Sequence, residues 1–284
     1  MFRLGVITDE IAADLETAIE VMKEENFREA EIRGLWGKNI ADLSIDEVKK
    51  AKLLLDNAGI NVCAVSSPFF KCDEPGIKDG GAAGPAHGAM ERGIGQQADL
   101  LRDLIAKAKI FNTDIIRTFS FWKKGELTEG ILQKIIDAYK EPLGIAAGEG
   151  MVLALENEHS CYIGTGAEAG RVVREINHPN LKVVWDPGNA FCAGEKAPYP
   201  DGYKEVRGHM AHFHIKDPVR DKNTGNYSFT LIGEGEIDYK GQIGALAKDF
   251  SGVVSLETHY IPAEGQKEGT RACMKALKKM IENL

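Results

Sequence analysis

Short apolar runs alternate with segments of helical periodicity along the whole chain. The first run, residues 3–8, precedes a segment in which Leu15, Ile19 and Met22 recur at helical spacing. The alternation continues to the last run, residues 252–257, which is followed by a final segment of the same helical spacing. Eight such strand–helix units predict an α/β protein built as a single (β/α)8 TIM barrel, with one domain over residues 1–284.

The elements between these two ends carry ordinary start and stop signals. Ser44 and Glu47 form a capping box, and Gly59 ends the helix that they begin. Thr165 and Glu168 form a second capping box. A doubly wound open sheet is the alternative fold, but no glycine-rich nucleotide-binding turn follows any predicted strand. The six further strands are predicted at residues 29–35, 61–67, 114–121, 151–158, 181–186 and 211–217.

Composition narrows the class of protein. The chain has 284 residues, of which 43% are hydrophobic and 27% charged, as in ordinary globular proteins. Its net charge of −8 argues against a nucleic-acid partner. No apolar run reaches the ~18 residues that span a bilayer, no signal segment precedes the first strand, and the five cysteines form no CxxC pair. We therefore expect a cytoplasmic protein with reduced thiols and no membrane segment.

Three long connections rich in glycine or proline follow the third, sixth and seventh predicted strands, at residues 71–88, 192–205 and 218–238. We expect them to be loops without secondary structure on the C-terminal face of the barrel, which carries the active site in this fold. The first loop contains His87 and five glycines, whose permissive backbone predicts a lid over the site.

Acidic and histidine residues stand at the ends of four consecutive predicted strands, namely Glu156, Asp186, His214 and Glu257. Their spacings of 30, 28 and 43 residues each correspond to about one βα unit, so all four should reach the same rim of the barrel. Neighbouring carboxylates repel each other, and a divalent cation relieves that repulsion. Oxygen and imidazole ligands without thiolates suit Mn²⁺, Co²⁺, Mg²⁺ or Zn²⁺. The pattern predicts one such ion; separate salt-bridged groups in a polar barrel mouth are the alternative.

The seventh strand presents three polar side chains on one face, because strand side chains alternate. His214 lies nearer the C-terminal end and is predicted to bind the metal, whereas His212 is predicted to be a hydrogen-bonded interior residue. Lys216 lies nearer still to the rim, where it could polarise a substrate oxygen or form a salt bridge to Asp217 or a rim carboxylate.

The motifs LALENE, WDPGN, HFHIKD, GEGEIDY and SLETHY occur in this order. With them the chain resembles the xylose isomerase-like TIM-barrel superfamily, the sugar phosphate isomerase/epimerase family, which also has an inosose dehydratase branch. The resemblance implies that Glu156, Asp186, His214 and Glu257 are the metal ligands. It also implies that Glu156 and Glu257 are acid/base groups on opposite faces of a sugar. Relatives are often dimers or tetramers, so a homo-oligomer is left open.

One position departs from the pattern of the superfamily. Where epimerases and repair nucleases of the group commonly have Asp-x-x-His after the sixth strand, this chain has Asn189 as the fourth residue. An asparagine is a poor metal ligand but can bind a substrate hydroxyl. Residues 218–238 also contain no Asp-x-His motif, which, with the negative charge, argues against a three-metal nuclease.

The resemblance and the candidate site together predict a metal-dependent sugar or sugar-phosphate isomerase or epimerase. It would act through an enediolate by proton transfer α to a carbonyl. The alternative is a dehydratase of a keto-polyol such as an inosose, using the same metal site. A catalytically silent sugar-binding barrel is the third possibility, but both glutamates are present. The residues predicted to contact the small-molecule sugar are Asn189, Lys216, Arg117, His159 and Trp122.

Overall fold

Eight parallel strands close into a barrel within residues 2–77 and 87–284, the ranges that the structure, a computed structural model, describes. Neighbouring strands along the chain are paired around the barrel, and β1 closes it by pairing with β8 in parallel. The predicted (β/α)8 barrel is therefore confirmed. The strands are β1 (Arg3–Ile7), β2 (Glu29–Ile32), β3 (Asn61–Phe69), β4 (Ile115–Thr118), β5 (Val152–Glu156), β6 (Leu181–Trp185), β7 (Met210–Ile215) and β8 (Val253–Leu256).

The helices surround the barrel and pack their apolar faces onto the strands. In α2, for example, Val48, Ala51 and Leu55 are buried at helical spacing. Both predicted capping boxes are present, and Gly59 adopts the left-handed conformation, with φ 65°, that ends α2. The helices are α1 (Leu15–Glu24), α2 (Ile45–Ala58), α3 (Gln97–Phe111), α4 (Glu129–Gly148), α5 (Gly166–Ile176), α6 (Pro187–Cys192), α7 (Tyr203–Val206), α8 (Tyr239–Asp249) and α9 (Gln266–Glu282).

The observed strands differ from the predicted ranges by one to three residues at their ends, and for two of them the pairing explains the difference. β2 ends at Ile32, and Gly34–Leu35 instead pairs with Lys38–Asn39 in a short antiparallel hairpin. β3 runs two residues further than predicted, because Phe69 pairs with Thr118 of β4 after an irregularity in the register. Both differences depend on pairing partners outside the predicted strand itself.

The prediction that the long connections lack secondary structure is wrong for two of them. Asp217–Arg220 and Tyr227–Thr230 form an antiparallel hairpin above β7. The connection after β6 contains a helical turn at Pro198–Gly202, which leads into α7. A composition rich in glycine and proline therefore did not mean that these two connections lack secondary structure.

Buried Asp217 holds the return of this hairpin. Its Oδ2 accepts backbone N–H groups of Gly233 at 2.8 Å and Gly235 at 2.9 Å. A Cβ atom at position 235 would lie 2.2 Å from Asp217 Oδ1, so only glycine permits this approach. Asp217 therefore holds the start of the GEGEIDY segment against the first strand of the hairpin.

Replacing Asp217 with Ala is expected to lower the free energy of unfolding by about 3 kcal/mol, because the N–H groups of Gly233 and Gly235 lose a buried charged acceptor. Equilibrium urea unfolding measures the loss. Asp221→Ala in the same hairpin is the matched control, since Asp221 is exposed and accepts the N–H groups of its near neighbours Asn223 and Thr224. Equal stability of the two variants would contradict the anchoring role.

Two broader features complete the fold. All five cysteines lie within the described ranges, and none forms a disulfide. No helix in the described part of the chain has the length and apolar character needed to cross a membrane.

Candidate active site

The carboxyl ends of four adjacent strands bring the predicted ligand residues together. Glu156 is the last residue of β5, Asp186 follows β6, His214 lies in β7 and Glu257 follows β8. One ligand atom from each lies within 4.8 Å of the others, and all four side chains are buried. The Nδ1 atom of His214 is 3.1 Å from Glu156 Oε1, 3.5 Å from Glu257 Oε2 and 3.9 Å from Asp186 Oδ2. We call these four residues the acidic cluster.

The turn after β6 shapes one wall of the acidic cluster. Asp186 is the N-cap of α6, and its Oδ1 accepts the N–H of Asn189 at 2.8 Å, with Pro187 in the first turn. Its other oxygen, Oδ2, faces the cluster. A Cβ atom on Gly188 would lie 2.7 Å from the Lys216 side chain. The DPGN sequence is thus both a helix start and part of the site.

Lys216 lies inside the acidic cluster. Its Nζ is 2.6 Å from Glu257 Oε2 and 2.9 Å from Asp186 Oδ2. The lysine therefore forms the salt bridge to rim carboxylates, whereas Asp217 accepts backbone N–H groups instead. Burial lowers the pKa of Lys216, but the surrounding carboxylates outweigh burial and raise that pKa well above its ordinary value.

Two arginines also contact the cluster from the interior of the barrel. Arg117 Nη1 is 3.0 Å from Glu156 Oε2, and its Nη2 donates to the Ser66 carbonyl at 3.1 Å. Arg33 Nη1 donates to Glu257 Oε1 at 2.8 Å. The contacts with Glu156 and Ser66 hold the Arg117 guanidinium in place. Its contact with substrate stays a prediction.

Asp186 and Glu257, the two carboxyl groups that contact Lys216, have pKa values shifted in opposite directions. Burial, together with Glu257 and Glu156, raises the pKa of Asp186 to about 7, although Lys216 opposes this rise. Burial also raises the pKa of Glu257, but Lys216 and His214 outweigh it and hold that pKa well below its usual range. Glu257 is therefore the firmly ionised member of the pair.

A cavity of about 340 Å³ adjoins the acidic cluster, since Glu257 and Lys216 are among its lining residues. The Nδ1 of His159 is 2.9 Å from Glu158 Oε1 and 3.4 Å from Asn189 Oδ1. The hydrogen bond to Glu158 raises the pKa of His159. Three of the residues predicted to contact substrate, His159, Asn189 and Lys216, line this cavity. Its lining residues are His87, Glu158, His159, Asn189, Lys216, Phe229, Glu257 and His259.

Trp122 lies deeper than the cavity wall. It is 1% exposed and packs with Phe119 and Cys161 in a small apolar cluster. Its contact with substrate stays a prediction. The predicted lid, residues 71–88, includes residues 78–86, which lie outside the described residues, so the lid stays a prediction. His87, near the end of that connection, lines the cavity.

Sequence reasoning missed three residues near the cavity, namely Glu10, Phe229 and His259. Glu10 accepts the backbone N–H of His259 at 2.9 Å, and Phe229 lies against the His259 ring with centroids 5.1 Å apart. Glu10 follows β1 closely, so the rule of acidic residues at strand ends could have found it. No local signal identifies Phe229, because its position depends on the hairpin. A second cavity, of about 300 Å³, lies at the amino ends of the strands, away from the cluster.

The acidic cluster fits a divalent ion. Glu156 Oε2 and Asp186 Oδ2 are buried and, within the described ranges, accept no well-aligned hydrogen bond, although each is in ion-pair contact. Three carboxylates and one imidazole nitrogen form a hard oxygen-rich donor set. The residues that could hold the ion are those predicted from the sequence.

A parallel barrel with its polar cluster at the carboxyl ends of the strands has the general architecture of (β/α)8 barrel enzymes. The model of the xylose isomerase-like TIM barrel family matches residues 16–280. The chain belongs to this family, which confirms the resemblance seen in its motifs.

Individual relatives add detail. An inosose dehydratase from Histophilus somni (strain 129Pt) is 25% identical over 272 residues, covering 86% of each chain. The crystal structure of the probable 3-DHS dehydratase AsbF from Bacillus anthracis is 18% identical, with a TM-score of 0.75, and the match covers 98% of this chain and 99% of that one. The IOLI protein, solved with a binding zinc atom, is 19% identical, with a TM-score of 0.76 and 99% of both chains covered. At such identities the structural likeness shows the shared fold.

Proposed function

We propose that this protein is a divalent-metal-dependent dehydratase, a lyase that removes water from an uncharged keto-polyol such as an inosose. The observation that carries the proposal is the buried acidic cluster, one member of which, Glu257, lines the cavity. The name of the inosose dehydratase that is 25% identical to this chain favours this reaction over the isomerase or epimerase that the motifs first indicated.

Glu156, Asp186, His214 and Glu257 would hold the ion. A divalent ion bound there supplies Lewis-acid polarisation of the substrate carbonyl, which makes the neighbouring C–H bond more acidic. The chain's own groups then move the protons.

Dehydration requires a base for the α proton and an acid for the leaving hydroxyl. Glu257 is the cluster glutamate that lines the cavity, where its carboxylate can reach a bound substrate, so we assign it the proton abstraction. The electron pair of the C–H bond forms the new double bond as the β C–O bond breaks. His159 also lines the cavity, and its raised pKa favours the protonated form that can donate a proton to the departing hydroxide, giving water.

The charges around the cavity favour an uncharged substrate. In the described part of the chain, Lys216 is paired with two carboxylates, Arg117 with Glu156, and Arg33 with Glu257. Binding a phosphate or carboxylate group usually requires a cation that is available to it. Phe229 supplies an apolar ring face that suits the C–H face of a cyclic polyol. The sugar-phosphate alternative is therefore less well supported.

The isomerase or epimerase remains the second candidate, because two glutamates stand in one cluster and epimerisation needs an acid and a base. Glu156 accepts from Asn189 Nδ2 at 3.2 Å and is close to His214, so it could act with Glu257 on the same substrate. The two reactions differ in whether water leaves.

A substrate panel tests the proposal. The purified protein is supplied separately with Mn²⁺, Co²⁺, Mg²⁺ or Zn²⁺ and offered an inosose, a free ketose, a ketose phosphate and a carboxylated cyclic ketone. We expect turnover of the inosose alone, with loss of one water by mass spectrometry and a rise in ultraviolet absorbance from the conjugated product. A chelator should abolish it. A product of unchanged mass would instead establish the second candidate.

A further inference from the structure

Glu31 of β2 reaches across the barrel interior to two histidines of β7. Its side chain is 0% exposed. Both of its oxygens lie 3.0 Å from Nε2 of His214, and its Oε2 lies 2.8 Å from Nε2 of His212. The reaction proposed above assigns no role to Glu31.

These contacts fix where the histidine protons reside. An ionised carboxylate can only accept hydrogen bonds. One Glu31 carboxylate lies at hydrogen-bond distance from both Nε2 atoms, so it is the shared acceptor for two N–H donors. Each Nε2 that faces Glu31 must therefore carry a proton. For His214 this leaves Nδ1 as the nitrogen that points into the acidic cluster, 3.1 Å from Glu156 Oε1.

The second histidine fixes the arrangement further. The His212 and His214 rings meet edge to face, with centroids 5.4 Å apart and an interplanar angle of 89°. Ser255 Oγ lies 2.9 Å from the same Nε2 of His212. The three side chains could also be imagined as a metal site, but hydrogen-bond distances between Glu31 and both Nε2 atoms identify a hydrogen-bonded triad.

We propose that Glu31 is a positioning residue that orients His214 and keeps its proton on Nε2, so that Nδ1 is available as a metal ligand. The inference rests on the metal site of the proposed function. Carboxylate or carbonyl partners of ligating histidines commonly act in this way, and their loss costs about 10–100-fold in metal affinity.

The first test needs no variant. Zn²⁺ is diamagnetic, so the zinc-loaded wild-type protein with ¹⁵N-labelled histidine can be studied by NMR. We expect the His214 Nε2 to bear a proton that exchanges slowly with solvent and Nδ1 to bear none. A proton on Nδ1, with Nε2 unprotonated, would overturn the proposal.

The second test compares Glu31→Gln with Glu29→Gln. The amide introduced by Glu31→Gln offers one acceptor oxygen to two N–H donors, so Zn²⁺ affinity, measured by competition with a chromophoric chelator, should fall about 10–100-fold. Glu29 lies two residues away on the same strand, is also buried, and pairs with Arg3 at 2.9 Å, so its variant should bind Zn²⁺ as wild type does.

The outcomes separate the two proposals. If wild type binds no Zn²⁺, the metal site itself is wrong and the role of Glu31 is wrong with it. If wild type and Glu31→Gln bind Zn²⁺ equally and give the same His214 spectrum, only the positioning role is wrong. Should Glu31→Gln fail to fold, as judged by circular dichroism, the wild-type spectrum alone decides.

Discussion

Replacing Glu257 with Gln is expected to lower turnover by ~10²-fold or more, even at saturating metal. Glutamine keeps the size of the side chain but cannot take a proton. It also loses the charge that receives Arg33 at 2.8 Å and Lys216 at 2.6 Å. The loss should therefore appear in kcat, with a smaller change in KM.

Isotope exchange separates the role of Glu257 from that of Glu156. With substrate deuterated at the α carbon, Glu156→Gln should still release deuterium to water, because it keeps the assigned base, whereas Glu257→Gln should not. Glu25→Gln is the control, since this buried glutamate pairs with Lys278 at 2.8 Å and is absent from the cluster. Full turnover by both cluster variants would exclude acid/base catalysis by this pair.

Replacing Asp186 with Asn is expected to weaken metal binding by about 100-fold or more and to reduce activity in parallel. Loss of an outer-shell partner alone costs about 10–100-fold, and Asp186 is a proposed ligand. Asparagine can still accept the N–H of Asn189, so the start of α6 should be preserved. The amide removes the anionic oxygen that faces Lys216 and the cluster.

Metal content after gel filtration and titration calorimetry measure this effect, with circular dichroism to verify folding. Asp238→Asn is the matched control, because Asp238 is likewise an N-cap, of α8, and accepts the N–H of Gly241 at 2.9 Å. Wild-type metal content in Asp186→Asn would count decisively against the ligand assignment.

The site residues that could be predicted from the sequence are those placed by the regular features of the barrel strands. The four cluster residues could be predicted because the carboxyl ends of consecutive parallel strands must meet at one rim, whatever the details of packing. His212 was predicted as a hydrogen-bonded interior residue, and its contacts with Glu31 and Ser255 confirm this. Alternation along a strand was sufficient for that prediction.

The partners of the cluster could not be predicted in the same way. Arg33 meets Glu257 across 224 residues of sequence, and Glu31 meets His214 across 183. Such pairs join strands that are not neighbours, so they depend on how the closed barrel staggers its strands and on which side chains fill its interior. Local periodicity contains no information about that stagger.

The hairpin after β7 illustrates the same limit. Its glycine-rich sequence indicated a loop, but Asp217 folds back onto Gly233 and Gly235 and holds a paired structure that places Phe229 at the cavity. The sequence by itself determined the barrel, the order of its elements and the four residues of the acidic cluster, because these follow from repeated local patterns. The tertiary structure alone decided that Lys216 lies between Asp186 and Glu257 and that Glu31 holds His214, because both contacts exist only once the barrel has closed.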